Sequence, residues 1–315
     1  MAFHSFEPHT YLSIFIISFT RNYEDLQCTE VDTVIEARLK KGETFELPYG
    51  KLMERLLTIK MIRENIPASR GFNFWGYNQN EADKKDPAAF TKAPFLSLLV
   101  PFAEAQLEQL HLPLEAPVVV MGDKSSSMDV AIRTSTIIAS LLAAITSAKL
   151  VFFNNENEDI AEVPRNIEQV LDMAVTVRAT GSTAPAASLY PFYERKEVVK
   201  TFVIVTDEEE NTACKGFKFH DLYKKYCEDV YNARMVFVSF LRNQHSEGQM
   251  VREFNQKGTP VMQFKFDQSR PDLTKLDTLF GLLSAESSDF EGEVSKLQER
   301  LKVDGMNKVF EDLKI

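Results

Sequence analysis

The side chains best placed to do chemistry together all offer oxygen. Asp123, Ser125 and Ser127 alternate along one short turn, Thr183 stands in a later loop, and Asp207 follows an apolar run. A carboxylate and two hydroxyls on one turn can point at one spot. A third hydroxyl and a second carboxylate from two further loops can join them there. Such a donor set, without His or Cys, selects Mg²⁺, or else Mn²⁺ or Ca²⁺, over zinc or copper. Two carboxylates cannot fill six octahedral positions, so water and an outside ligand must complete the shell. An open position on a divalent ion attracts an acidic side chain from a protein partner. Each piece alone has a plainer explanation. Asp and Ser are ordinary helix N-caps, Thr183 ahead of Pro185 is another, and Asp207 can be a simple loop acid. The conjunction points to a cation, since every piece follows a strand or opens a helix. Lys124, Ser182, Glu208 and Glu209 flank these positions and are the candidates for touching the partner. Glu208, Glu209 and Glu210 crowd the third loop with carboxylates.

Other chemistry finds little support. His4, His9, His111, His220 and His245 are scattered and form neither a Ser-His-Asp set nor HExxH. There is no GxGxxG and no GKS or GKT loop. Asp123 after a strand resembles an aspartyl nucleophile of a phosphotransferase or hydrolase. That chemistry wants a second acid two residues on, where Ser125 stands, so the chain is read as a non-enzyme. Cys28, Cys214 and Cys227 show no CxxC spacing and read as free thiols in a reducing compartment. The cluster Gly71 to Tyr77, with Trp75, could stack a base or a peptide. Packing a loop onto a core is its simpler role.

The elements that must position these residues follow from hydrophobic rhythm. Val118 to Met121, Leu150 to Phe153, Thr201 to Val205, Met235 to Phe240 and Val261 to Phe266 are short apolar runs. They alternate with helical stretches at Ala131 to Ala148, Ile167 to Val177, Phe219 to Asn232, Gln249 to Gln256 and Leu273 to Leu283. Strands without polar alternation are buried on both faces, the habit of parallel sheets. The expected fold is therefore α/β, a doubly wound and mostly parallel sheet flanked by helices. In such sheets ligands bind beyond the carboxyl ends of the strands, where Asp123 and Asp207 fall. Leu47 to Ile66 and Phe90 to Leu110 read as amphipathic helices. The expected division is a helical N-terminal segment over 1–112, the α/β domain over 113–285 and an amphipathic helical tail over 286–315.

The chain has 315 residues, 44% apolar and 26% charged, enough for a sizeable core. Its formal net charge is −10. An acidic surface repels phosphate backbones, so RNA is a disfavoured partner. Tyr11 to Phe19 is too short to span a bilayer and lacks the flanks of a signal peptide. The expectation is a cytoplasmic or nuclear protein with no membrane association.

The order Asp123-x-Ser125-x-Ser127, then Gly181-Ser182-Thr183, then Thr206-Asp207 resembles a von Willebrand factor A-type domain. The five oxygen positions match that family's metal-ion-dependent adhesion site. The resemblance covers roughly Ala116 to Leu283. The preceding helical segment and the Thr-Asp-x-Glu loop look most like intracellular members, of the TROVE-type Ro kind. The resemblance implies serine and threonine as direct ligands and aspartates acting largely through water. It also keeps an RNA-associated scaffold as the alternative function. Two departures stand out: Lys124 and Ser126 replace the small residue and the glycine usual inside the first motif.

Overall fold

A computed structural model describes residues 29–42, 47–63, 96–110, 112, 114–243, 245, 247–269 and 271–285. The 11–19 run, Cys28, the 71–77 aromatic cluster and the 286–315 tail lie outside the described residues.

Among the described residues six strands form one sheet: β1 (Val118–Asp123), β2 (Lys149–Phe153), β3 (Asn157–Asp159), β4 (Thr201–Thr206), β5 (Arg234–Leu241) and β6 (Met262–Asp267). Their order is β3-β2-β1-β4-β5-β6. Every neighbouring pair is parallel except β2–β3. The five expected strands are all present. β3 is an addition, a three-residue polar strand that folds back on β2 as an antiparallel edge.

The continuous apolar runs are explained by burial on both faces. Val118, Val120, Leu150, Phe152, Val203, Val205, Val236 and Val238 face one core. Their neighbours Val119, Met121, Val151, Phe153, Phe202, Ile204 and Phe237 face another. The period of two survives, but neither face is polar.

The helices are α1 (Thr29–Lys40), α2 (Tyr49–Arg63), α3 (Leu96–Glu108), α4 (Ile132–Thr146), α5 (Ile167–Thr176), α6 (Ala186–Glu194), α7 (Phe219–Asp229), α8 (Gln249–Gln256) and α9 (Leu276–Ala285). Helices α6, α7 and α8 cover one face of the sheet. Helices α4, α5 and α9 cover the other, and α1, α2 and α3 join the same core through Ile35, Leu52, Leu56, Ile59 and Leu99. The apolar interior therefore runs unbroken across the expected boundary at 112/113. Lys60 of α2 pairs with Asp172 of α5 at 2.7 Å and reinforces that junction. The expected helix from Leu273 starts as a 3-10 turn, Leu273–Lys275, before α9 takes over.

Strand β1 has β2 on one side and β4 on the other, so the winding direction reverses between β1 and β4. Their carboxyl ends frame the crevice that such a reversal opens. Asp123 is the last residue of β1, and Thr206 the last of β4.

Candidate metal centre at the sheet crevice

Three loops meet above that crevice and are laced together by their backbones. In the first loop, Lys124 N–H donates to the Phe153 carbonyl at 2.8 Å, and Ser126 N–H donates to the Gly181 carbonyl at 3.1 Å. Thr180 N–H of the second loop returns to the Lys124 carbonyl at 2.7 Å. Asn154, just past β2, accepts from Ala184 N–H at 2.8 Å through its carbonyl. Its side-chain amide donates to the Thr180 carbonyl at 3.0 Å. Gly181 holds φ +81°, and a Cβ there would lie 2.6 Å from Asn155 Oδ1. The tight turn next to Thr183 thus needs glycine on two counts. The third loop closes the circle: Thr183 N–H donates to Asn211 Oδ1 at 3.0 Å. Asn211 N–H and Thr212 N–H donate to the Thr183 carbonyl at 3.1 and 3.0 Å.

Inside this frame Asp123 is fully buried. Its Oδ1 accepts from Ser125 N–H at 2.8 Å, and its Oδ2 accepts from the Thr206 hydroxyl at 2.6 Å. The Ser125 and Ser127 hydroxyl oxygens are 3.2 Å apart. Asp207, nearly buried, accepts from Glu209 N–H at 3.1 Å and from Gln268 Nε2 at 3.2 Å. The same Gln268 amide donates to the Ser127 carbonyl at 2.9 Å, so it bridges the first and third loops.

The electrostatics follow from this crowding. Burial pushes the Asp123 carboxyl up to about 7; the charge of Asp207 adds to the rise, and hydrogen bonds from Ser125 and Thr206 oppose it. Burial also raises Asp207, against a hydrogen bond from Ser127. Two dry carboxylates at one crevice disfavour each other's ionised form. A divalent cation between them would reverse that preference. The donor set is all oxygen, and its chemistry fits a hard cation such as Mg²⁺.

The flanking candidates go different ways. Lys124 is only 19% exposed and pairs with Glu158 on β3. Ser182 is half-buried in the second loop. Glu208 faces inward and is fully buried at φ +64°. Its carboxylate accepts from Val251 N–H at 2.9 Å and from Gln263 Nε2 at 2.5 Å, capping α8. Gly248 makes room for it, since a Cβ there would lie 2.0 Å from Glu208 Oε2. A partner at the surface does not reach Glu208, and sequence gave no sign of this, because three successive glutamates look alike. Glu209 is exposed and stands 3.7 Å from Arg242. Glu210 turns in again, and its Oε1 accepts from Phe219 N–H at 2.7 Å to cap α7. Beside Asp207 opens a groove of about 440 Å³, walled by Glu209, Arg242, Asn243, Gln249 and Gln268.

Thr206 was read only as part of the third-loop motif, without its hydrogen bond to Asp123, and Asn211 and Gln268 were not singled out from sequence. Thr206 and Asn211 sit close to Asp207 in the chain, so the loop itself was a faint signal. Gln268 had none, because only the fold brings the end of β6 to Ser127.

No protein-family model matches the sequence, and no curated protein matches it. Solved structures do resemble it. A Ro (RSR) protein from Deinococcus radiodurans aligns at 15% identity over 86% of this chain and 53% of its own, with a TM-score of 0.45. A von Willebrand factor type A protein from Catenulispora acidiphila aligns at 16% identity over 54% of this chain and 42% of its own, with a TM-score of 0.37. Both kinds of protein named by the sequence resemblance are thus among the similar structures. The chain spans about half the length of the Ro protein.

Proposed function

We propose that this chain is a metal-dependent protein-interaction domain. Mg²⁺, held through Asp123, Ser125, Ser127, Thr183 and Asp207, offers an open position to an acidic side chain of a protein partner. The observation that carries this reading is the buried carboxylate pair, Asp123 and Asp207, crowded at one crevice with serine hydroxyls beside it. A cation offsets a cost the bare protein bears. The groove beside Asp207 gives the partner a seat, and the exposed Arg242 suits an acidic chain there. Aspartyl phosphoryl transfer wants a second acid two residues after the nucleophile, and Ser125 stands there beside Asp123. That favours binding over phosphoryl transfer. Capture of partners on the immobilised full chain, with and without chelator and beside Asp123→Ala, tests the reading. Partners lost in both the chelated sample and the variant support it. A partner set indifferent to both overturns it, as does capture of RNA whose retention falls steeply with salt.

A further inference from the structure

Away from the crevice, His220, Asp221 and Glu253 bring one ring nitrogen and two carboxylates within 4.8 Å of one another. His220 and Asp221 open α7 and Glu253 stands on α8, so the cluster bridges two helices on one face of the sheet. His220 is buried, 3% exposed, with its ring edge-on to Phe254 at 4.8 Å. Its Nε2 lies 3.2 Å from the Thr259 hydroxyl. Its Nδ1 is buried without a hydrogen-bond partner, yet it points toward Asp221 Oδ1 at 3.5 Å. When Nε2 donates to Thr259, the Nδ1 lone pair faces carboxylates, and a bound cation satisfies all three groups; the other tautomer turns Nδ1–H toward Asp221 instead. A cation position is already marked. Lys257 Nζ lies 2.7 Å from Asp221 Oδ1 and 2.7 Å from Glu253 Oε1, on a side chain 37% exposed. The ammonium answers the two carboxylates but leaves the ring nitrogen unpartnered.

We propose that His220 Nδ1, Asp221 and Glu253 form a second cation site, separate from the oxygen crevice, that takes Zn²⁺ in exchange for the Lys257 ammonium. One imidazole with two carboxylates suits zinc, whereas Mg²⁺ prefers oxygen alone. Tetrahedral zinc with bonds of about 2.0–2.1 Å sets neighbouring ligand atoms about 3.4 Å apart. The Nδ1 to Oδ1 separation of 3.5 Å meets that spacing without movement. Glu253 must close in as Lys257 leaves. Burial lowers the His220 pKa, so the imidazole is neutral and ready to ligate near pH 7. Bound zinc clasps α7 to α8, and water fills the remaining position.

Calorimetric titration of the full chain with Zn²⁺ in excess Mg²⁺ tests this, alongside His220→Gln, Glu253→Gln, Lys257→Met and Asp123→Ala. The expected result is one equivalent of zinc, bound about tenfold or more weaker in the first two variants. Affinity should rise about tenfold in Lys257→Met and stay unchanged in Asp123→Ala. Should His220→Gln disturb the packing against Phe254, Glu253→Gln carries the same expectation from outside the core. Co²⁺ in place of zinc should show visible absorption that Glu253→Gln abolishes. Zinc affinity unaltered in both ligand variants, loss of binding in Asp123→Ala, or a thiolate charge-transfer band with Co²⁺ overturns the proposal.

Discussion

At the scale of the residue, the third loop shows how one run of like side chains divides its work. Glu208 caps α8 from beneath, Glu209 faces solvent, and Glu210 caps α7. Burial lifts the Glu210 carboxyl to about 7, chiefly by desolvation, while the Phe219 N–H opposes the rise. A raised folded-state pKa gives stability that is full below the unfolded value and lost as pH rises through about 7. Glu210→Gln keeps the acceptor for Phe219 but never ionises. Thermal melts from about pH 5 to about pH 8 should therefore show the variant gaining on wild type as pH rises. The gain should reach the order of 1 kcal/mol, allowing for the part of the carboxyl that water reaches. A constant offset would show that Glu210 does not titrate in this range. That Asp123, Ser125, Ser127 and Asp207 meet at one crevice was legible in the sequence, because each lies at or just past the end of a strand. The inward turn of Glu208 was not legible, because it depends on the space left by Gly248, forty residues further along in a different element.

At the scale of the element, five strands could be read from their apolar runs because both faces of the sheet are covered. β3 could not, since Asn157, Glu158 and Asp159 carry no apolar signal and pair only through the turn after Phe153. The loops, not the strands, decide whether the donors converge. Asn211 makes the case. Its Oδ1 receives the Thr183 N–H at 3.0 Å and the Thr212 hydroxyl at 2.9 Å. Asn211→Ala leaves the nearly buried Thr183 amide without its acceptor, a cost of about 1–3 kcal/mol. We expect the loss to appear as roughly tenfold weaker Mg²⁺ binding with α-helical content unchanged in circular dichroism. Affinity equal to wild type would mean that the threonine loop holds its place without Asn211.

At the scale of the whole molecule, the first helices and the sheet share one apolar interior. Leu56 of α2 is fully buried in that interior with Val120 and Val203. Leu56→Ala should cost about 2–5 kcal/mol and lower the midpoint of a single melting transition followed by calorimetry. Two separated transitions would show that the helical segment melts on its own. Part of the formal charge of −10 falls at the crevice between β1 and β4, where burial raises Asp123 and Asp207 and favours their protonated forms until a cation binds. A bound divalent ion would change what a partner meets at that edge. Whether this crevice holds a cation is decided by calorimetric titration of Mg²⁺ into wild type, Asp123→Ala and Ser125→Ala. Wild type should give a saturable isotherm with one equivalent of Mg²⁺, abolished in Asp123→Ala and weakened in Ser125→Ala. Equal responses from all three proteins would contradict a cation site at the crevice.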